Sequence, residues 1–116
     1  MASLGMNGPY PLNQQKIDEI VTQKSLGNYA LGYETETKFI VKYVGRSDHN
    51  VNERLHDWEN SEYKEFKFSY ASSAKKAFEK ECKNYHDFGE SKDLDNDRHP
   101  DRSNVEWKCP VCNIFG

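Results

Sequence analysis

Phe66, Phe68 and Tyr70 alternate with Glu65, Lys67 and Ser69, a period of two that fits a β-strand with one buried face. Such a strand needs partners for its backbone and a layer to cover its apolar side. The chain offers both. Residues 29–33 and 38–44 alternate or run apolar around the polar stretch Glu34-Thr35-Glu36-Thr37, which predicts a hairpin. Three strands of this kind predict a central three-stranded antiparallel sheet, and the intervening segments read as helices, so the fold class expected is α+β.

The helices announce themselves by spacing and by their ends. Ile17, Ile20 and Val21 recur at helical intervals over residues 13–24, with Asn13 as the cap and Gly27 as the stop. Val51, Leu55 and Trp58 predict a second helix of about three turns that ends near Asn60. Ser72 and Ser73 cap a third, running to Phe88 and stopped by Gly89. Residues 1–12 are small, aperiodic and rich in Pro and Gly, and read as a mobile leader, with Met6 a candidate start. Residues 13–116 then form a single domain.

Only 35% of the 116 residues are hydrophobic and 30% are charged, so the core is modest and a chemical staple would help it hold. Three cysteines cannot all pair. No run spans a membrane and no secretory leader opens the chain, so an intracellular, cytoplasmic protein is expected, nuclear if the source is eukaryotic, with no membrane partner. The net charge of −3 carries no global field toward nucleic acid. Lys38, Lys42, Arg46, Arg54, Lys64 and Lys67 nevertheless gather in the central third.

Within the third helix Ala74, Ala77, Phe78, Tyr85 and Phe88 form one stripe, and Glu81 falls near its centre while Glu79 points away. An ionised carboxylate on an apolar face requires a partner, either a cationic side chain or a divalent metal. Position alone leaves both open.

Gly27-Asn28-Tyr29, Tyr43-Val44-Gly45, Arg54, Glu81 and Asn96 occur in this order on the elements just described. Together they resemble the catalytic core of the GIY-YIG nucleases over roughly residues 26–100. The resemblance implies a divalent-metal-dependent endonuclease that hydrolyses DNA phosphodiesters. It implies that Glu81 holds one Mg²⁺ or Mn²⁺, and that Arg54 binds the scissile phosphate. Arg46, where the family often has a Lys, would bind that phosphate too. Tyr29 would orient or deprotonate the attacking water, with Tyr43 beside it. A phenol serves as a base only if neighbouring cations depress its pKa from about 10. Two departures stand out: Trp58 occupies the position where the family commonly has a His, and the interval from Gly45 to Arg54 is about one residue longer. His56 and His49 are the nearby imidazoles, neither in the family's position.

Cys82 and His86, four apart on a helix, lie on one flank, and Cys109-Pro110-Val111-Cys112 has the knuckle spacing of paired thiolates. These four ligands suit a closed structural Zn²⁺ site that pins the aperiodic tail, residues 90–116, to the helix bearing Glu81. His99 in place of His86, a Cys109/Cys112 redox dithiol, or unrelated thiols are the alternatives. The expected protein is a GIY-YIG-like domain with a zinc-stapled tail, acting on DNA. A protein partner or a second copy would supply specificity. The competing readings are a non-catalytic zinc-stapled nucleic-acid or protein binding module of the same fold, and a purely structural interaction protein.

Overall fold

The strand Gly27–Glu34 has six consecutive buried residues at its start, because it is flanked on both edges and covered on both faces. The computed structural model of the chain describes residues 5–96, 100 and 107–111. Among these the elements run β1 (Asn7–Pro11), α1 (Gln14–Ile20), β2 (Gly27–Glu34), β3 (Phe39–Ser47), α2 (Val51–His56), β4 (Glu65–Tyr70), α3 (Ala74–Asp87) and α4 (Glu90–Asp93). The sheet has the order β1-β4-β2-β3, and every neighbouring pair is antiparallel.

The fold is therefore α+β as expected, but with four strands rather than three. The added strand, β1, falls in the segment read as a leader. Gly8 and Pro9 look like turn residues, yet an edge strand tolerates proline because one side of it makes no ladder bonds. Tyr10 supplies the packing, its ring 5.7 Å from that of Phe66 and 6.3 Å from that of Phe68. A bulge between Asn7 and Tyr10 accommodates the irregular backbone.

Side chains alternate across β2. Tyr29 and Leu31 face a core made with Leu12, Ile17, Val21, Val51, Leu55, Phe66 and Phe68, which α1 and α2 cover. Ala30 faces the other way, packing with Val44, Tyr85 and Leu94 beneath α3 and the segment after it. Each fully buried Phe or Leu contributes on the order of 1.5–3 kcal/mol of apolar transfer. The helix starts follow the capping residues: Asn13 accepts from the Lys16 N–H at 2.8 Å, Asn50 from Asn52 at 3.0 Å, and Ser73 from Lys76 at 3.2 Å. Such caps are worth about 1 kcal/mol each.

Two helices are shorter than their periodicity suggests. α1 stops at Ile20, where the Asn52 side chain takes over the Val21 carbonyl at 2.9 Å. α2 stops at His56 and gives way to turns through Asn60, which still bring Trp58 onto the core. α3 matches its expected span closely, and Gly89 just past its end takes φ 101°, a conformation that favours glycine.

The far edge of the sheet, β3, is covered rather than left open. The Asp95 N–H donates to the Lys42 carbonyl at 2.6 Å. The buried Asn96 side chain accepts from the Val44 N–H at 3.0 Å and donates to the Val44 carbonyl at 2.8 Å, mimicking a strand partner. Among the described residues no helix is long and apolar enough to cross a membrane.

α1 and α2 are tied by His56, whose ring lies 2.8 Å from Asp18 and 2.8 Å from Glu59. Burial works against the charged imidazole, but hydrogen bonds to the Glu59 and Asp18 carboxylates outweigh it and raise its pKa. A group titrating higher when folded stabilises fully below its unfolded pKa, about 6.5 for His, and loses that contribution as pH rises through the folded value. Thermal stability is therefore expected to decline as pH rises above about 6.5, a decline that His56→Gln largely removes. Equal pH slopes in the two proteins would contradict this origin.

Candidate active site

Tyr29, Tyr43, Arg46, Arg54 and Glu81, separated by up to 52 positions along the chain, line one open cavity of about 320 Å³. Gly45, Asp48 and His49 complete its wall. The cavity sits at the end of β3, where β2, the loop into α2, α2 itself and α3 converge. All five residues singled out as catalytic from the sequence thus meet in space.

Two glycines of the short motifs make this convergence sterically feasible. A Cβ on Gly45 would lie 2.4 Å from the Tyr29 ring and 2.5 Å from its hydroxyl, so the Tyr29 side chain lies directly across β3 where Gly45 leaves room. A Cβ on Gly27 would lie 2.2 Å from the Ser69 carbonyl of β4. Neither space can take a larger residue without displacement of backbone or ring.

Tyr29 is 3% exposed, and its hydroxyl accepts a hydrogen bond from the Trp58 indole at 3.1 Å. Its pKa is raised, first by burial and then by proximity to Tyr43; the Trp58 hydrogen bond and the Arg54 charge oppose the rise without cancelling it. The depression that a phenolate base would need is absent from this arrangement. Tyr29 keeps its proton at neutral pH and is equipped to orient a ligand. Trp58, the departure from the family pattern, therefore has a definite place: it fixes the Tyr29 hydroxyl and packs 4.7 Å from the Tyr43 ring.

Glu81 is 9% exposed and its carboxylate accepts from the Arg46 guanidinium at 2.5 Å. Arg46 also donates to Asp48 at 2.9 Å and lies over the Phe78 ring, 5.2 Å from its centre. Burial disfavours the Arg46 charge, and the two carboxylates outweigh it, raising its pKa. The cationic partner and the metal were both open for Glu81 from its position; in this structure the cation is Arg46. Breaking such a half-sequestered pair by deleting one member leaves a poorly solvated charge.

With Arg46 and Arg54 against Asp48 and Glu81, the charged side chains of the wall balance formally. Glu81 and Asp48 are hard oxygen donors held by one guanidinium, a set compatible with Mg²⁺ or Mn²⁺, which often bind through one or two carboxylates with waters and phosphate oxygens. Asp48 was not foreseen; only its place next to Arg46 in a loop hinted at it. Arg54 is exposed on α2 at the cavity rim, and His49 is exposed in the preceding loop. His56 lies elsewhere, in the α1–α2 tie. Asn96, matched to the family's loop Asn, is absent from the cavity wall and clamps β3 instead.

On the other flank of α3, the buried Cys82 and Cys109 thiols are in hydrogen-bond contact, and Cys109 also contacts the His86 ring. Phe78 and Trp107 pack around them. Cys112 and the alternative ligand His99 lie outside the described residues. Among the described residues no group of three or more His, Cys, Asp or Glu is arranged as a closed metal-binding set.

Compared with protein-family models, curated proteins and solved structures, the chain matches none of them.

The contact between Gly45 and Tyr29 makes a specific test. Gly45→Ala is expected to displace the Tyr29 ring and destabilise the fold by about 1–3 kcal/mol, the usual range for overpacking. Denaturant unfolding measures the loss. A Tyr29→Phe background should leave most of the penalty in place, since the ring carbons clash as closely as the hydroxyl.

Proposed function

We propose that the chain is a divalent-metal-dependent endonuclease of the GIY-YIG type that hydrolyses DNA phosphodiester bonds. The observation that carries this reading is the shared cavity: Tyr29 of the first short motif, Tyr43 and Gly45 of the second, Arg54 and Glu81 line one wall at the end of β3. Chance matches scattered along a chain have no reason to converge in this way.

Glu81, with Asp48 beside it, would hold Mg²⁺ or Mn²⁺. When bound, such an ion supplies Lewis acidity and neutralises charge that builds on the phosphate oxygens. The protein's own groups do the rest. Arg54 at the rim receives the phosphodiester, and its planar fork suits two phosphate oxygens. Arg46, bonded to Glu81 and Asp48 at the same wall, would offer its charge to the scissile group. Tyr29, protonated and anchored by Trp58, orients the attacking water by hydrogen bonding. His49, exposed on the cavity wall, is placed to take the proton from that water as its oxygen bonds to phosphorus; the P–O bond to the leaving sugar oxygen breaks, and that oxygen takes a proton from the solvent to which the cavity is open. Thiols at Cys82 and Cys109 suit a reducing, intracellular setting. Specificity would come from a protein partner or a second copy.

One observation favours the competing reading, a binding module of the same fold: Arg46 is already satisfied by two carboxylates. Activity separates the two readings. With Mg²⁺ or Mn²⁺, the wild-type chain is expected to nick supercoiled or cut linear or branched DNA, and Glu81→Gln to lower the rate by about 10²–10³-fold. Gln retains a carbonyl acceptor for Arg46, so the variant should stay folded, which circular dichroism checks. Arg54→Ala is expected to lose about 10²-fold. Absence of cleavage by folded wild type on all three substrates, with salt-dependent DNA binding retained, would establish the binding module instead.

His49→Ala is expected to lower the cleavage rate by about 10²-fold. An unchanged rate would assign the proton transfer to another group.

A further inference from the structure

Cys82 and His86 project from one flank of α3, and residues 107–111 lie against them although they arrive from more than 20 positions further along the chain. Cys109 is 6% exposed, touches both the Cys82 thiol and the His86 ring, and is enclosed by Phe78 and Trp107. Three features of the surroundings exceed what apolar packing of thiols requires.

First, the His86 ring is oriented. Its Nδ1 is 2.5 Å from Glu90 Oε2, so the ring's other nitrogen, Nε2, is turned inward and buried. A carboxylate on one imidazole nitrogen with the other directed at a metal is the arrangement that fixes the tautomer in metal-binding histidines. Second, the backbone N–H of Val111 is directed at Cys109 Sγ at 3.5 Å. A donor aimed at sulfur stabilises a thiolate over a thiol. Third, Glu90, which makes the contact to His86, takes φ 59° immediately after Gly89, a left-handed backbone that a non-glycine residue seldom adopts.

We propose that Cys82, His86 and Cys109, with Cys112 from the same Cys-x-x-Cys knuckle, bind one structural Zn²⁺, and that Glu90 is the positioning residue that holds His86 Nε2 toward it. Tetrahedral Zn²⁺ with Zn–S bonds of about 2.3 Å places two ligand sulfurs about 3.8 Å apart, a separation that side chains already in hydrogen-bond contact reach with little movement. Cys112 lies outside the described residues, and its inclusion follows from its spacing to Cys109. Four protein ligands leave no open position for water, so the ion staples the tail to α3 without entering the chemistry at Glu81. This site is independent of the nuclease reading.

The full chain purified without chelator is expected to carry about one zinc per chain by elemental analysis. Replacement with Co²⁺ should give the intense visible and near-ultraviolet bands of tetrahedral thiolate coordination. Cys109→Ser should lose the metal, whereas Cys109→His, which restores a ligand, should retain it; this pair guards against a variant that merely fails to fold. Glu90→Gln should keep the stoichiometry while weakening affinity about 10–100-fold in a competition with a chromophoric chelator. A Glu90→Gln affinity equal to wild type would overturn the positioning role. Folded wild type that binds less than about a tenth of an equivalent of zinc when titrated, or that isolates with a Cys82–Cys109 disulfide, would overturn the site itself.

Discussion

Everything in this molecule hangs on β2. Its first six residues are buried because β4 and β3 satisfy its backbone on both edges while helices cover both faces. The result is a strand that can place adjacent side chains in different environments. Asn28 points toward α3, where its amide donates to the Ala77 carbonyl at 2.8 Å, and Tyr29 points into the opposite core. Gly27 and Gly45 allow the close approaches that this central position imposes.

The cavity is a consequence of that arrangement rather than an addition to it. β3 is an edge strand, and at its end both faces of the sheet become accessible from one opening. Tyr29 and Tyr43 therefore reach it from the side of α1 and α2, while Glu81 reaches it from α3. Arg46 links the two sides, pairing with Glu81 on α3 and Asp48 in the loop that leads to α2.

The structure also separates two kinds of work on α3. One flank carries Glu81 to the cavity, and the neighbouring flank carries Cys82 and His86 to the tail. Residues 81 and 82 are consecutive, so the carboxylate at the cavity and the thiol that packs against Cys109 leave adjacent positions of one helix.

Local pattern was enough to determine the helix caps at Asn13 and Ser73, the alternation of Phe66 and Phe68, the stop at Gly89, and the placement of Glu81 on a buried face. Each depends on the periodicity or capping chemistry of a single element, which sequence carries directly. The same information missed β1, since Gly8 and Pro9 read as turn residues and only the rings of Phe66 and Phe68 give Tyr10 a reason to pair there. It left open whether Glu81 faces a metal or a cation, and matched Asn96 to the family's loop Asn, whereas that buried amide covers the β3 edge of the sheet. It offered no route to the raised pKa of Tyr29, which arises from burial, or to the contact of Trp58 with its hydroxyl. Those outcomes are relations between elements distant along the chain. Which residue a buried charge or hydroxyl meets is decided only when the sheet order, the register of β2 with β3 and the packing of α2 and α3 are set, because a hydrogen bond depends on angstroms that no local period encodes.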